Sequence, residues 1–279
     1  MLNLNGDLIN KNGFFFSANN RAFKYGDAIF ETISVLNSKV VFWEDHYFRL
    51  MASMRICRME TPMNLTMEYF EEQIVLLTNS QDLLHARARL TIYRDAHGKY
   101  NPSQNNTQFV IVAEPIQQPM YGFLDGAYEV ELYKDFFITK QLLSTLKTTN
   151  KMEFVLASIF AKENDYDTCL MLNNEKQVVE GVKGNLFMLK DNVLTTPPLA
   201  DGCLNGIMRK QILAIAQKME NIEVVEASIS PFDLQKADEL FLTNVISGIQ
   251  PISKYRKKEF KADFSGQLVN RLNALVRLN

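Results

Sequence analysis

Three residues of this sequence have types and surroundings that could do chemistry. Arg49 carries a permanently charged guanidinium that can present two parallel donors to a phosphate. The amine of Lys147 could act as a nucleophile, but only where burial or neighbouring cations lower its pKa. Gly206 lies at the start of a predicted helix, where free backbone N–H groups form an anion site. Taken singly, a charged residue such as Arg49 or Lys147 is more often part of a solvated surface, so the surrounding sequence must decide.

The composition argues against metal, nucleic-acid and membrane chemistry. Cys57, Cys169 and Cys203 lie far apart, and the three histidines are scattered, so we expect no metal site. The 30 Lys and Arg residues nearly balance the 32 Asp and Glu residues without a dense basic run, which argues against nucleic acid. Since we find neither a signal peptide pattern nor an apolar run that could span a bilayer, we expect a cytoplasmic protein with no membrane partner.

The elements that would position these residues follow an α/β pattern. A chain of 279 residues is long enough for two lobes, each with its own core. In the first lobe, Asn5 and Gly6 signal a hairpin turn, and strand-like and helix-like segments follow. We predict a hairpin over residues 2–9, strands over 28–35, 40–43, 90–93 and 109–113, and helices over 45–55 and 66–77.

A stretch bracketed by Pro115 and Pro119 suits a linker. We therefore place a small N-terminal lobe at residues 1–115, the linker at 116–119 and a larger lobe at 120–279. A polar loop over 95–107 is either a substrate-contact element or a plain surface connection. In the larger lobe we predict strands over 127–133, 168–172, 178–180, 186–189 and 193–196, a C-terminal helix over 264–278, and a helix with one face marked by Met152, Val155, Leu156, Ile159 and Phe160.

Several segments, in sequence order, resemble the signature of the class IV aminotransferases. The matching segments are YGDAIFET (25–32), HYFRL (46–50), LKTTNK (146–151), VVEGVKGNLF (178–187), LNGIMR (204–209) and ADELFLTNVIS (237–247). This family includes branched-chain aminotransferases, D-amino-acid aminotransferases and aminodeoxychorismate lyase. The resemblance covers nearly the whole chain and implies a two-lobed fold-type IV α/β enzyme, with a smaller N-terminal lobe and a larger C-terminal lobe that binds pyridoxal 5'-phosphate (PLP).

The resemblance implies a role for each main cofactor residue. Lys147 corresponds to the lysine that forms the Schiff base to PLP, and it would also move a proton on the substrate carbon. Arg49 corresponds to the arginine that grips the cofactor phosphate. Glu180 corresponds to the glutamate that keeps the pyridine nitrogen protonated, which matters because the ring must accept negative charge.

The resemblance also implies secondary contacts. Further cofactor contacts are expected at Asn185, Gly206, the backbone amides of Ile207 and Met208, the loop residues Asn244 and Val245, and Lys151, which would lie near the phenolic oxygen. Substrate contacts are expected at Tyr25, Phe30, Thr32, Arg94, Lys99, Tyr100 and Ile246. Relatives are usually homodimers in which a loop of one subunit helps to cover the site of the other, and we expect a homodimer here.

Three activities remain open at this point. The first is an aminotransferase that takes a small amino acid or amine as donor and a keto acid as acceptor, which is the commonest activity in the family. The second is aminodeoxychorismate lyase, which releases pyruvate and forms p-aminobenzoate; Thr32, Lys151 and Met208 favour it, whereas Ser34 departs from many relatives of both kinds. The third is a protein that keeps the fold but only binds, against which the joint presence of Arg49, Lys147 and Glu180 argues.

Overall fold

The computed structural model of the chain describes residues 1–12, 16–123 and 126–278. Helices and sheets are mixed throughout these residues, which confirms the predicted α/β class. The chain forms two compact units. The N-terminal unit comprises Met1–Met120 together with Lys147–Asn150, and the C-terminal unit comprises Tyr121–Leu146 and Lys151–Asn279. The division into lobes at residues 115 and 120 stays a prediction.

The N-terminal unit is a six-stranded sheet with two long helices. Its strand order is β2-β1-β6-β5-β3-β4. Its elements are β1 (Leu2–Leu4), β2 (Asp7–Ile9), α1 (Arg21–Tyr25), β3 (Ala28–Leu36), β4 (Lys39–Val40), α2 (Trp43–Ile56), α3 (Met67–Asn79), β5 (Ala86–Arg94) and β6 (Thr107–Pro115).

One hydrophobic core lies between the sheet and the two long helices of this unit, and it determines which side chains of each strand are buried. Apolar side chains of the sheet and of helices α2 and α3, such as Ile33, Leu50 and Phe70, form one buried cluster. On β5, burial alternates with a period of two, so that Ala88 and Leu90 enter the core while the arginines between and beside the alanines do not. Helix α3 begins as predicted, because the hydroxyl of Thr66 accepts the N–H of Tyr69 at 3.1 Å.

The predicted strand over residues 40–43 is wrong beyond its first residue. Strand β4 ends at Val40, and helix α2 begins at Trp43. Phe42 takes a positive φ of 53°, which breaks the extended backbone, and Glu44 and Asp45 in the first turn favour a helix start. The sequence prediction places Trp43 in the strand because aromatic residues favour strands. In the structure it begins the helix, and its indole N–H donates to the Met67 carbonyl at 2.8 Å.

The C-terminal unit contains two five-stranded sheets, in the orders β12-β11-β10-β13-β14 and β16-β15-β7-β8-β9. Its strands are β7 (Glu129–Ile138), β8 (Thr168–Asn173), β9 (Val178–Gly181), β10 (Asn185–Lys190), β11 (Val193–Thr196), β12 (Glu223–Glu226), β13 (Glu239–Asn244), β14 (Gly248–Ile252), β15 (Lys254–Tyr255) and β16 (Lys258–Glu259). Its helices are α4 (Met152–Glu163), α5 (Ile207–Ala216) and α6 (Asp263–Leu278), with short 3₁₀ turns at Leu142–Thr145, Leu199–Asp201 and Leu234–Lys236. No helix within the described residues combines the length and apolar character needed to cross a membrane.

Helix α4 is present where predicted, but the five apolar residues that marked one face divide between two environments: Leu156 and Phe160 pack against the core, whereas the other three are exposed. Ala157 and Ala161 are its buried residues, and they join the core formed with β7 and β8. Three larger apolar side chains remain exposed: Met152 by 67%, Val155 by 51% and Ile159 by 47%. The apolar pattern of this helix therefore indicates two faces, one packed in the unit and one open to solvent.

Candidate active site

Lys147 is held against strand β3 of the N-terminal unit. Its carbonyl accepts the N–H of Phe30 at 2.8 Å, and the next residue, Thr148, forms an isolated antiparallel bridge with Ile29. The Thr149 N–H then donates to the Ala28 carbonyl at 3.1 Å. The Lys147 amine lies 4.7 Å from the centre of the Phe30 ring. Backbone pairing to a sheet thus positions the amine.

Arg49 lies in a buried cluster with Glu31 and His46. Its Nε donates to Glu31 Oε1 at 2.8 Å, and its Nη2 makes a short contact with Glu31 Oε2. His46, three residues earlier on α2, has Nδ1 2.7 Å from Glu31 Oε2. Burial alone would raise the pKa of the Glu31 carboxyl, but the Arg49 charge and the His46 hydrogen bond outweigh it and lower that pKa to about 2.

The pKa of His46 is lowered, chiefly by complete burial, although Glu31 opposes this shift. The charges of Arg49 and Lys147 lower it further. His46 is therefore neutral near pH 7. The charges of the predicted phosphate arginine and of the predicted nucleophilic lysine therefore both act on His46.

Arg89 is a candidate that the sequence analysis missed. It lies on β5 opposite Thr32 of β3, and its guanidinium carbon is 3.6 Å from the centre of the Phe30 ring. Burial, followed by the charge of Arg87, lowers the pKa of Arg89. Within residues 1–12, 16–123 and 126–278, no carboxylate forms an ion pair with it. The signal in the sequence was the alternation ARARL at 86–90, which places arginines on the face of β5 opposite the core.

Among the other predicted substrate contacts of this unit, Tyr25, Lys99 and Tyr100 lie near one another or near Arg21, whereas Arg94 is buried among other partners. The rings of Tyr25 and Tyr100 lie 5.6 Å apart, and Tyr100 is 89% exposed. Lys99 contributes its carbonyl to Arg21 at 2.6 Å. Arg94 is 7% exposed and binds Asp27 as well as three backbone or amide oxygens, at 2.6 to 3.0 Å. These bonds give Arg94 a structural role in the unit, and its contact with the substrate stays a prediction.

In the C-terminal unit, Glu180 and Asn185 both hold the turn that precedes α5. Glu180 is the buried second-to-last residue of strand β9, and its Oε2 accepts the N–H of Leu204 at 3.2 Å. Asn185 begins β10, and its Nδ2 donates to the Leu204 carbonyl at 2.8 Å. Burial, followed by the negative charge of Glu180, raises the pKa of the neighbouring Cys203 thiol to about 12. The Cys203 thiol therefore stays protonated and carries no chemistry of its own.

The N-terminus of α5 offers a narrow cradle of backbone N–H groups. Gly206 is the N-cap and has no side chain to satisfy the first amides, which belong to Ile207 and Met208. A Cβ on Gly206 would lie 1.9 Å from Asn185 Oδ1, so no larger residue fits without displacing Asn185. Arg209 fixes the first turn by donating to the Pro197 carbonyl at 2.9 Å and by pairing with Glu226 at 2.5 Å.

The loop after β13 is braced by its own side chains. Asn244 Oδ1 accepts the N–H groups of Ile246 and Ser247, each at 2.9 Å. The Val245 carbonyl accepts the Tyr121 hydroxyl at 2.8 Å. Asn244 thus shapes the loop through its amide oxygen.

Lys151, at the start of α4, has its amine 4.7 Å from the centre of the Phe154 ring.

The fold and these side chains define a class of protein: an α/β enzyme in which each unit carries groups suited to a phosphorylated cofactor. The uncapped cradle at Gly206 in the C-terminal unit suits a phosphate, and so does the guanidinium of Arg49 in the N-terminal unit. The buried carboxylate of Glu180 suits a ring nitrogen, and the amine of Lys147 suits an aldehyde.

Comparison with known proteins makes this class specific. The model of the amino-transferase class IV family matches residues 28–255, and the chain belongs to this family. It is 28% identical to the aminodeoxychorismate lyase of Vibrio harveyi, over 90% of this chain and 92% of the relative. It is 24% identical to a D-alanine aminotransferase of Staphylococcus epidermidis, over 90% of this chain and 87% of the relative.

Solved structures confirm the predicted fold. The branched-chain aminotransferase from Thermoproteus uzoniensis, solved with norvaline, superposes with a TM-score of 0.87 at 24% identity, covering 99% of this chain and 94% of the other. The chain is therefore a fold-type IV enzyme of a PLP-dependent family, and the residues described above fit PLP. When bound, PLP accepts the electron pair released at the substrate carbon.

Proposed function

We propose that the protein is an aminotransferase that takes a small amino acid, rather than a simple amine, as its donor. The observation that carries this choice is Arg89. The Arg89 guanidinium has no carboxylate partner among the described residues. It lies over the Phe30 ring, and the Lys147 amine lies over the same ring. A donor whose amino group faces Lys147 could therefore place its carboxylate at Arg89, where a guanidinium accepts a carboxylate through two parallel bonds.

The roles that we propose for the other residues follow their contacts. Lys147 would hold PLP through its amine and, once displaced, move the proton at the substrate carbon. Arg49 and the amides of Ile207 and Met208 would bind the phosphate, and Glu180 would hold the proton on the ring nitrogen. Asn185 and Asn244 would act by shaping the turns beside the cofactor, because their side chains bond to backbone groups.

The amino acid preference is tested by Arg89→Met, with Arg87→Met as the matched control on the same face of β5. We expect Arg89→Met to raise KM for amino acid donors about 10- to 100-fold, because the substitution removes a hydrogen bond between charged groups. Arg87 pairs with Glu114 at the exposed surface, so its loss should change KM little. Steady-state kinetics with amino acids and with simple amines provide the measurement. Equal effects of the two substitutions would contradict the role of Arg89.

The lysine assignment is tested by covalent labelling. Borohydride reduction of the enzyme with PLP, followed by peptide mapping, should label Lys147. The Lys147→Ala variant should lose this label and essentially all activity, whereas Lys140→Ala, which removes an amine paired with Glu175, should retain both. A label on any other lysine of the wild-type enzyme would refute the assignment.

Aminodeoxychorismate lyase remains the second candidate. The 28% identity to the Vibrio harveyi lyase supports it, and so does Met208, whose fully buried thioether offers no hydroxyl to a phosphate. The assay that separates the two activities is incubation with aminodeoxychorismate in the absence of a keto acid. Pyruvate release would establish the lyase, whereas its absence, together with keto acid formation from amino acids, would establish the aminotransferase.

We further propose a cytoplasmic homodimer. The exposed stripe of Met152, Val155 and Ile159 on α4 is spaced as one helix face, and apolar faces of this kind commonly mark subunit contacts. The three cysteines are unpaired thiols, as expected in a reducing compartment.

A further inference from the structure

We propose that Glu31 and His46 are positioning residues that hold the guanidinium of Arg49 in the one orientation in which it can bind the cofactor phosphate. This inference rests on the proposed role of Arg49 and concerns two residues that the motif comparison leaves without a function. In the cluster, Arg49 touches Glu31, and Glu31 touches His46.

The contacts fix the guanidinium in both position and plane. Glu31 receives the Nε edge of Arg49 with both carboxylate oxygens, and such a two-point contact restricts rotation as well as translation. Arg49 and Glu31 side chains are 9% and 2% exposed, so water does not compete strongly for these bonds. A single hydrogen bond, or a solvated pair, would leave the guanidinium free to turn.

His46 fixes the carboxylate in turn. It lies one helical turn before Arg49 on α2, and its Nδ1 meets the same oxygen of Glu31 that receives Nη2. Since the Glu31 carboxyl is ionised, Nδ1 carries the proton and Nε2 is an acceptor. Nε2 is buried and has no hydrogen-bond partner among the described residues. An unpaired buried acceptor destabilises the fold, so the favourable contribution of His46 comes from the bond made by Nδ1.

A simpler explanation is that Glu31 only neutralises a buried arginine. The two explanations predict opposite results for a phosphate ligand. Removing the negative charge of Glu31 makes the surroundings of Arg49 more positive, which would strengthen phosphate binding if charge alone mattered. If orientation matters, removing Glu31 or its bond to His46 weakens phosphate binding instead.

Substitution of His46 gives the sharper test, because it leaves the charges of Glu31 and Arg49 in place. In His46→Asn, the side-chain amide nitrogen occupies the position of Nδ1 and still donates to Glu31. In His46→Leu, the donor is lost while the volume is approximately kept. We expect His46→Leu to weaken PLP binding about 10- to 100-fold and His46→Asn to restore it to within about threefold of the wild type.

The measurement is the equilibrium affinity of the purified enzyme for PLP and for pyridoxal, which lacks the phosphate, followed by absorbance. Pyridoxal affinity should be the same in all variants, and this shows that the site is folded. Glu31→Gln should also lose affinity for PLP only. Equal PLP affinity in His46→Leu and the wild type, or tighter PLP binding by Glu31→Gln, would overturn the proposal.

Arg49→Met separates this proposal from the assignment on which it rests. If Arg49→Met loses PLP affinity but not pyridoxal affinity, Arg49 binds the phosphate, and the His46 variants then decide the positioning role alone. If Arg49→Met binds PLP as tightly as the wild type, the phosphate assignment itself is wrong, and the positioning proposal fails with it.

Discussion

At the scale of single residues, the environment decides the protonation of the groups that are clustered with Arg49. Glu31 is ionised in a fully buried position because two partners stabilise its charge. His46 is neutral because burial outweighs the same carboxylate. An ionised carboxylate and a neutral imidazole thus share one hydrogen bond, and the protonation state of each depends on the other.

These shifts predict how stability depends on pH. Both pKa values are lower in the folded protein, so the unfolded chain binds protons at a higher pH than the folded protein does, and stability is lost as the pH falls through the ordinary pKa values. We expect the free energy of unfolding to decrease below about pH 6.5, where unfolded His46 binds a proton, and to fall further below about pH 4.5 through Glu31. Glu31 alone would contribute about 3 kcal/mol.

Urea unfolding at a series of pH values provides the measurement. His46→Asn removes one titrating group, so its free energy of unfolding should change less between pH 7 and 5 than that of the wild type. An identical pH profile in the variant would show that His46 titrates normally in the folded state.

At the scale of secondary structure elements, backbone hydrogen bonds fix the positions of the residues proposed to bind the cofactor. The segment Lys147–Asn150 pairs with β3, which places the amine beside Phe30. Helix α5 begins at a glycine whose place beside Asn185 leaves no room for a Cβ. Glu180 and Asn185 hold the preceding turn through Leu204. The start of α5 is therefore determined by side chains of two strands.

The cradle at α5 predicts a steric effect of Gly206→Ala. The φ of −73° at Gly206 suits alanine, so any loss comes from the collision with Asn185 Oδ1. We expect Gly206→Ala to break the Asn185 bond to Leu204, lower stability by about 1 to 2 kcal/mol and weaken PLP binding. Unfolding and PLP titrations provide the measurements. In an Asn185→Ala background the same substitution should cost much less stability, and additive effects would contradict this explanation.

At the scale of the whole molecule, the exposed stripe on α4 predicts the assembly. Ile159→Glu would place a charge in the proposed subunit contact, and we expect it to shift the protein from twice 32.1 kDa to 32.1 kDa. Sedimentation velocity at micromolar concentration measures this change. Met63→Glu, which alters a 98% exposed methionine of the N-terminal unit, is the control and should leave the mass unchanged. A dimer that persists in Ile159→Glu would place the contact elsewhere.

Much of the fold was predictable because local patterns report it directly. The hairpin at Asn5 and Gly6, the helix that starts after Thr66 and the helix after Gly206 all follow from turn or cap residues that act over a few positions. The strand prediction failed at Trp43 because an aromatic residue suits either a strand or a buried helix start. What decided it was a contact with Met67, 24 residues away.

The sequence by itself determined the family, the fold class and the PLP dependence, because ordered motifs spread over most of the chain survive at low identity. The roles of individual residues stay predictions. Only the tertiary structure decided that Arg94 bonds to Asp27 and to backbone carbonyls, that Arg89 and Lys147 lie near the same Phe30 ring, and that Glu31 bonds to both His46 and Arg49. These relations join residues far apart in sequence, and burial, which sets their charge and partners, exists only once the strands and helices have packed.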